Sequence, residues 1–285
     1  MKINEISPLD NGFTQIMSDI VLMHNKLYYM GTLPTGRLPT VAVVGTRKPT
    51  AYGVEVTTQI TSDLARRGVV IVSGLALGTD AIAHRAALEA GGTTLAVLAN
   101  GLSKITPTTN RQLGEDIIAA GGAIFSEYEP NEPPYLARFL ERNRIVSGLS
   151  DAVLITEASA RSGTLNTARN ALEQGREVFV VPGNITSPLS AGCNALLKQG
   201  ATPVTCAEDI LEVIAPQLLR PQAQLALGDN AVQTAIIQLL QSGLRDGDEL
   251  QAQSGATAGE FATELTMMEI NGTVRSLGAN QWTLR

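Results

Sequence analysis

The sequence predicts an α/β protein with an open, doubly wound, mainly parallel sheet, followed by a small winged-helix domain. Three observations support this prediction: short apolar runs rich in β-branched residues, an amphipathic stretch of crossover length after most of them, and a change of pattern after Ala215. Apolar runs of this kind are typical of strands buried on both faces of a parallel sheet. The predicted strands are 41–45, 69–72, 94–98, 123–125, 152–155 and 178–181.

The sheet domain is predicted over 41–215, with helices in the segments between and after these strands. Several of these helices stop at a glycine, such as Gly68 or Gly91, which is a common way to end a helix. Residues 1–40 are predicted to form an N-terminal extension packing on the sheet, in which 26–30 pairs at an edge or covers one face. The predicted helices are 52–67, 79–90, 110–120, 138–149, 163–174 and 191–199.

The pattern beyond Ala215 indicates a linker and a second domain. Residues 216–229 contain prolines and repeated Gln and Ala without an apolar period, which is typical of a linker. Residues 230–285 predict three helices and a terminal hairpin, and this order of elements is typical of a winged helix-turn-helix. The helices are predicted over 231–241, 246–254 and 257–270, and the hairpin strands over 273–277 and 281–284.

The net charge of −6 means that any nucleic-acid site would have to be a local cationic patch. The sequence shows no secretory leader pattern and no run of about eighteen apolar residues, so the cytoplasm is the expected location and no membrane contact is expected. Cys193 and Cys206 lie apart from each other without nearby histidines, which indicates packing residues rather than a metal site. No metal and no cofactor are expected.

Two loops after predicted strands have residues suited to binding phosphate, because the carboxyl ends of parallel strands meet at one edge of the sheet. The loop after the first strand carries Arg47 and Lys48. The next loop carries Ser73, Gly74 and Gly78 just before a helix whose N-terminus favours an anion. The alternative for the first loop is an ordinary strand-to-helix turn with solvated cations.

Other interpretations of the second loop are less favourable. The loop lacks the G-x-G-x-x-G spacing, and no acidic residue follows where a ribose would need it, so a tightly held NAD is not expected. Asp80 and His84 lie one helical turn apart, but no third metal ligand has a compatible position. We therefore interpret them as a capping Asp and a packed or hydrogen-bonded His.

The segment after the fourth predicted strand combines three arginines with an aromatic ring. Arg138, Arg142 and Arg144 surround Phe139, and Asn143 lies one helical turn beyond that ring. Proteins that follow a nucleic-acid backbone use this combination, because guanidinium groups neutralise phosphates while a ring stacks on any base. In the alternative, Phe139 belongs to the core and the arginines pair with neighbouring acids.

One more loop contributes to the same edge of the sheet. Arg161, Ser162, Gly163 and Thr164 end a strand and open a helix. Each of the four loops alone is a weak signal, but together they predict a positive groove on an otherwise acidic protein. The cations of this groove are Arg47, Lys48, Arg138, Arg142, Arg144 and Arg161.

Several ordered motifs resemble those of the DNA-processing protein A (DprA/Smf) family over about 27–214. The resemblance implies an extended Rossmann-like domain that binds single-stranded DNA without catalysis, forms a homodimer and loads RecA during transformation, competence and DNA recombination. It places the DNA-binding arginine on Arg47 and the base-stacking ring on Phe139. The matching motifs start at Val44, Ser73, Phe139, Gly148, Arg161, Glu173 and Val181.

The second domain resembles the winged helix found on many members of this family. Its predicted recognition helix, 257–270, carries Glu260, Glu264 and Glu269 and no Lys or Arg. This charge would repel phosphates, so a protein-contact or packing role is expected instead of DNA recognition.

Two rival functions belong to other classes. One is a nucleotide-processing enzyme of the lysine-decarboxylase-like phosphoribohydrolase type, but residues 160–167 lack the carboxylate that this chemistry needs beside its phosphate loop. The other is a sensor that binds a small nucleotide at the same loops. Competition between a mononucleotide and DNA would distinguish the sensor from a DNA-binding protein.

Overall fold

The structure, a computed structural model, describes residues 2–18, 20, 26–219 and 230–284. The chain divides into two compact units, Met1–Leu219 and Arg220–Arg285. Most of the predicted linker, 220–229, lies outside the described residues. The first residues of that segment form a short 3-10 turn, Pro216–Leu218, and Leu218 packs against the core of the first unit.

The first unit is built on a nine-stranded sheet whose centre consists of the six strands that the sequence predicts. These six strands run parallel, which confirms the prediction of a doubly wound sheet. The strands are β1 (Asn4–Ile6), β2 (Leu27–Gly31), β3 (Thr40–Val44), β4 (Val70–Ser73), β5 (Thr94–Val97), β6 (Ala123–Ser126), β7 (Ala152–Ile155), β8 (Glu177–Val180) and β9 (Thr202–Pro203).

The strand order is β1-β2-β6-β5-β4-β3-β7-β8-β9. After β3 the chain adds β4, β5 and β6 on one side, and it then returns to place β7 on the other side of β3. The loops that leave the carboxyl ends of β3 and β7 therefore diverge and open a crevice between them. Ligands of doubly wound folds bind at such a switch point.

The N-terminal extension pairs with the sheet at one edge of the six parallel strands, in agreement with one of the two expectations for 26–30. This segment becomes β2, which pairs antiparallel with β6, and one further strand lies outside it. The edge is β1, which the sequence did not predict and which pairs antiparallel with β2. A three-residue strand is too short to show the period-2 pattern by which strands are found.

Helices cover both faces of this sheet, and their positions agree with the six predicted helices. The sequence did not predict a seventh helix near the end of the unit. Alternate residues of the central strands point to opposite faces: Ala42 packs with Ile145 and Ala168, whereas Val41 packs with Ile60. The helices are α1 (Ala51–Arg66), α2 (Thr79–Glu89), α3 (Arg111–Ala119), α4 (Leu136–Gly148), α5 (Thr164–Glu173), α6 (Ala191–Lys198) and α7 (Ala207–Ile214).

The second unit confirms the predicted winged helix. Side chains of Asn230, Asp246 and Thr257 cap the three helices, and Ala279 and Asn280 form the hairpin turn with positive φ angles. Its elements are α8 (Ala231–Gln241), α9 (Gly247–Ser254), α10 (Ala258–Ile270), β10 (Val274–Gly278) and β11 (Gln281–Leu284). Within the described residues, none of the helices of either unit has the length and apolarity that crossing a membrane requires.

The acidic face of α10 has partners inside its own unit. Glu260 completes a capping box with Thr257. Glu264 accepts a hydrogen bond of 2.7 Å from Gln233 on α8. Two of the three glutamates of α10 thus form contacts within the winged helix. The helix contains no Lys or Arg that could bind a phosphate.

Candidate nucleic-acid interface

A cavity of about 530 Å³ lies at the carboxyl ends of the parallel strands, where the loops after β3 and β7 diverge. The four predicted segments meet here, since the loops after β3, β4 and β7 and one face of α4 form its wall. Eight of the fourteen predicted site residues line it. These residues are Arg47, Gly74, Phe139, Arg142, Asn143, Ser162, Gly163 and Thr164.

Glu157 holds the loop after β3 at both of its ends. Its backbone carbonyl accepts a hydrogen bond of 2.8 Å from the N–H of Thr46. Its buried carboxylate accepts two hydrogen bonds from Thr50, at 2.9 Å from the backbone N–H and at 2.6 Å from the hydroxyl. The exposed Arg47 and Lys48 lie between these two fixed points, so Glu157 sets their position.

Space for the Glu157 carboxylate is provided by α1. Thr50 caps this helix by accepting a hydrogen bond from Gly53 N–H at 3.1 Å. A Cβ at Gly53 would overlap with the carboxylate of Glu157, so only glycine fits there. Sequence reasoning assigned no role to this clamp, because Glu157 and Thr50 are distant in the chain.

Arg47 lies over the aromatic ring of Phe139. The guanidinium carbon is 5.4 Å from the ring centroid, which is within the range of a cation–π contact. Among the described residues no carboxylate forms an ion pair with Arg47, so its charge is available to a ligand. The neighbouring Lys48 is also exposed, but its side chain does not form part of the cavity wall.

The loop after β4 differs from the expectation of a second phosphate cradle. The carboxylate of Asp80 accepts hydrogen bonds from the N–H groups of Gly74, at 3.1 Å, and Ala76, at 3.3 Å. The hydroxyl of Ser73 donates to the carbonyl of Val43 at 2.7 Å. The protein's own carboxylate therefore occupies the donors that an external anion would need, and Ser73 and Gly74 have structural roles in this loop.

Asp80 is the second residue of α2 and does not cap it, which corrects the capping interpretation. Burial raises the pKa of this carboxyl group, and the neighbouring Arg142 charge and the loop N–H groups oppose that rise. His84 is buried and its Nδ1 lies 2.7 Å from the hydroxyl of Thr94. Burial lowers the pKa of His84 to about 3, so it is a neutral packed residue as the sequence predicts.

The loops after β3 and β4 pack closely against each other at Gly78. Its φ of 76° and ψ of −128° are accessible only to glycine, and a Cβ there would lie 2.5 Å from the carbonyl oxygen of Thr46. The adjacent Thr79 N–H donates to the same carbonyl at 3.1 Å. Gly78 is thus required for close packing of two backbones, and it does not line the cavity.

Replacing Gly78 with alanine should destabilise the first unit by about 1–3 kcal/mol, through backbone strain and the clash with Thr46. Urea unfolding followed by far-UV circular dichroism measures this change. Gly68→Ala is the matched control, because Gly68 also has a positive φ but no atom near the added Cβ. If both variants lose the same stability, the contact between the two loops contributes nothing.

Arg142 forms the floor of the cavity. Its side chain is only 5% exposed, and a guanidinium nitrogen donates to the carbonyl of Val97 at 2.5 Å. Gly74 leaves room for it, since a Cβ at that position would overlap with the guanidinium. Its charge favours the ionised form of the buried Asp80 carboxyl group, although the two side chains form no ion pair. This predicted phosphate ligand is therefore bound to a carbonyl of the protein in the floor of the cavity.

The other two arginines of α4 do not line the cavity, contrary to the predicted groove. Arg138 forms an ion pair with Glu132 and donates to the carbonyl of Pro133 at 3.0 Å. Arg144 is 2.6 Å from the buried carboxylate of Glu127. Both charges are neutralised inside the unit, as in the alternative interpretation of this segment.

The remaining face of α4 agrees with the prediction. Phe139 and Asn143 share one face of the helix and both line the cavity. Asn143 is half-buried, and its amide has no hydrogen-bond partner among the described residues. The apolar side chains of Leu136 and Leu140 extend this wall towards solvent.

The loop after β7 closes the cavity at the start of α5. The hydroxyl of Thr164 donates to the carbonyl of Gly45 at 3.0 Å, and Ser162 lies 2.9 Å from the same hydroxyl. Arg161 is exposed without an ion pair in the described part of the chain, but it is not in the wall. Of the six predicted cations, Arg138 and Arg144 form ion pairs and Arg142 is buried, so Arg47, Lys48 and Arg161 are the ones that are exposed without an ion pair in the described residues.

The described residues contain no group of three or more His, Cys, Asp or Glu side chains arranged to hold a metal. Both cysteines are free thiols. Cys193 is buried, and burial raises its pKa to about 11.

Comparison with known proteins places this chain in a family. Residues 4–215 match the family model of DNA recombination-mediator protein A, and residues 220–280 match that of the DprA winged helix domain. The chain is 51% identical to Protein Smf of Escherichia coli strain K12 over 172 residues, 60% of this chain and 46% of that protein. It is 41% identical to the DNA processing protein DprA of Streptococcus pneumoniae over 210 residues, 74% of each chain. The chain thus spans about half the length of the E. coli relative.

Two solved structures share the fold. The X-ray structure of DNA processing protein A from S. pneumoniae has a TM-score of 0.68 at 38% identity and covers 75% of each chain. The DNA processing protein A of Helicobacter pylori, studied for its single-stranded DNA binding mode, has a TM-score of 0.65 at 33% identity and covers 76% of this chain and 97% of that one. The chain belongs to the DNA recombination-mediator protein A family.

Proposed function

We propose that this protein binds single-stranded DNA at the cavity formed by α4 and the loops after β3, β4 and β7, and that it loads RecA onto the bound strand during transformation and recombination. One observation carries the binding proposal: Arg47, without a carboxylate partner among the described residues, lies over the Phe139 ring at a cavity on the switch point of the sheet. The relative from H. pylori, whose single-stranded DNA binding has been studied, supports the choice of ligand.

The chemistry of the cavity suits an unpaired strand. Arg47 offers a positive charge to a phosphate, and Lys48 and Arg161 add positive potential nearby. Phe139 offers a ring for stacking on a base of any identity. Since Arg47 already covers that ring, a base that stacks on the same face must displace the guanidinium, which is then free to contact the phosphate.

The two acidic residues near the cavity support a binding protein over an enzyme. A general base needs a carboxylate that can reach the substrate. Asp80 accepts hydrogen bonds from the loop after β4, and Glu157 accepts them from Thr50. Both carboxylates are buried and hold loops in place, so the phosphoribohydrolase alternative is not favoured.

The partners in this proposal come from family membership. They are RecA and a second copy of this chain, in the cytoplasm. Copurification of RecA with the full chain and light scattering of the purified protein test them.

Arg47→Ala and Phe139→Ala should separate the two parts of the site. The affinity for oligo-dT should fall steeply with salt, and Arg47→Ala should reduce the slope by about one phosphate contact. Phe139→Ala should weaken binding by roughly 1–3 kcal/mol with little change in slope. A fluorescence anisotropy titration at several salt concentrations measures both.

Arg111→Ala is the matched control, since it removes one exposed positive charge from α3, outside the cavity wall. It should leave the salt slope close to that of the wild type. Equal binding by the wild type, Arg47→Ala and Phe139→Ala would contradict the proposed site. Competition by a mononucleotide that saturates the cavity and excludes DNA would instead favour the nucleotide sensor.

A further inference from the structure

We infer that Tyr135 is a second base-stacking platform, which takes the nucleotide adjacent to the one bound at Phe139. This inference rests on the proposed binding of single-stranded DNA. Tyr135 immediately precedes α4, is 57% exposed, and belongs neither to the core nor to the cavity wall.

The ring of Tyr135 is held in place from within the protein. The guanidinium carbon of Arg138 lies 4.8 Å from its centroid and 4.1 Å from that of the buried Tyr128. Arg138 is itself fixed by its ion pair with Glu132 and its hydrogen bond to Pro133. A ring that is already ordered loses little conformational entropy when a base stacks on it.

The platform is continuous with the proposed site. Leu136, next to Tyr135, is 86% exposed, and Leu140 is 49% exposed, yet both also line the cavity that holds Phe139. We call Tyr135, Leu136 and Leu140 the apolar rim. The rim leads from the cavity to the Tyr135 ring, so a strand that leaves the cavity over it meets an aromatic surface.

The spacing of the two rings suits two neighbouring nucleotides whose bases are not stacked on each other. Tyr135 and Phe139 are four residues apart, which corresponds to about 6 Å along a helix axis. This exceeds the rise of about 3.4 Å between stacked bases of one strand. The two bases would therefore be separated from each other, and stacking on the two rings would replace stacking between them.

Charge favours a base over other occupants of the rim. The positive charge of Arg138 is neutralised by Glu132, so the rim offers no phosphate contact of its own. An uncharged, planar group suits such a surface, and the adjacent cavity supplies the phosphate contact through Arg47. A second copy of the chain or another protein would be the occupant if DNA is not.

The test compares Tyr135→Ala with Tyr135→Phe on a series of oligo-dT lengths, from the mononucleotide to the decamer. Tyr135→Ala should weaken binding of the longer oligomers by roughly five- to a hundredfold, the equivalent of one stacked base. It should leave mononucleotide binding unchanged. Tyr135→Phe keeps the ring and should bind all lengths like the wild type, as should Leu172→Ala, which truncates an exposed side chain outside the cavity wall.

A second measurement locates the stacked bases. With 2-aminopurine placed at successive positions of the oligonucleotide, fluorescence should be quenched at two adjacent positions. Tyr135→Ala should abolish the second quenching and Phe139→Ala the first. Unchanged circular dichroism melting of Tyr135→Ala is expected, because the ring lies on the surface.

Two results would overturn the platform while leaving the proposed site intact. One is binding of all lengths by Tyr135→Ala at wild-type affinity while Phe139→Ala binds weakly. The other is a change of oligomeric state in Tyr135→Ala at unchanged DNA affinity, which would assign the rim to a protein contact. Absence of DNA binding by the wild type would overturn the proposed function and the platform together.

Discussion

Replacing Arg142 with methionine should lower the free energy of unfolding of the first unit by about 2–4 kcal/mol, because it leaves the buried carbonyl of Val97 without its charged donor and removes a positive charge that favours the ionised Asp80. The side chains of Arg142 and Asp80 are both buried. Methionine fills part of the space but carries no charge. A loss of this size is a large fraction of the stability of an ordinary domain.

The two units allow the effect to be assigned. Urea unfolding followed by far-UV circular dichroism reports mainly on the larger first unit. Trp282, the only tryptophan of the chain, lies in β11 of the winged helix. Its fluorescence transition should stay unchanged in Arg142→Met. This result would show that the loss of stability is confined to the unit that contains Arg142.

The destabilisation should depend on pH with a defined sign. Burial raises the pKa of Asp80, and the charge of Arg142 is the largest influence that opposes the rise. Removing Arg142 raises this pKa further, so the folded variant takes up a proton at a higher pH than the unfolded chain does. The stability gap between the wild type and Arg142→Met should therefore be widest above the raised pKa and shrink as the pH falls through it towards the pKa of the unfolded chain.

The double variant Asp80→Asn/Arg142→Met provides the control. Asparagine keeps an acceptor for the N–H groups of Gly74 and Ala76 but removes the charge. The double variant should recover much of the stability lost by Arg142→Met, and its stability gap to the wild type should not widen with rising pH. An Arg142→Met protein as stable as the wild type would show that the buried Arg142 does not stabilise the first unit.

The central fold was predictable because it depends on local patterns. Runs such as those of β3 and β7 are buried on both faces and read as continuous apolar segments, and glycines mark the helix ends. The edge strand β1 and the helix α7 were missed. β1, like the unpredicted strand β9 at the other edge, is too short to show a period-2 pattern. The length of α7 does not explain why it was missed, since the predicted α6 has the same eight residues.

The site was predictable to the level of which loops meet, but not which charges remain free. Arg144 pairs with Glu127, and the buried Arg142 donates to the carbonyl of Val97, which lies 45 positions earlier in the chain. Pairings between distant residues leave no local signal in a sequence. For the same reason Gly74 and Gly78 suggested a phosphate cradle, whereas in the structure they make room for a guanidinium and for a second backbone.

Replacing Glu157 with alanine should weaken oligo-dT binding by about ten- to a hundredfold, as expected when a group that supports a binding residue is removed. The change removes the two hydrogen bonds that the N–H and the hydroxyl of Thr50 donate to this carboxylate. It leaves the two Thr50 donors without their partner, but Thr50 is exposed, so water can replace that partner and the cost in stability is small. The loop that carries Arg47 then loses its fixed geometry, although Arg47 itself is unchanged.

Glu157→Gln separates positioning from a simple loss of stability. The glutamine oxygen still accepts one hydrogen bond from Thr50, and its amide nitrogen donates to the hydroxyl oxygen in place of the second. Binding should therefore recover to near the wild-type value in this variant. The same variant tests the enzyme alternative, because a general base would be lost in glutamine as completely as in alanine.

The combination Arg47→Ala/Glu157→Ala decides whether Glu157 acts through Arg47. If the carboxylate serves only to place that guanidinium, Glu157→Ala should reduce the salt slope by about one phosphate contact, like Arg47→Ala itself. The double variant should then bind DNA no more weakly than the weaker single variant, since residues that act as one unit have non-additive effects. Additive losses would mean that Glu157 supports the site by another route, such as the position of the Gly45 and Thr46 backbone beside Thr164.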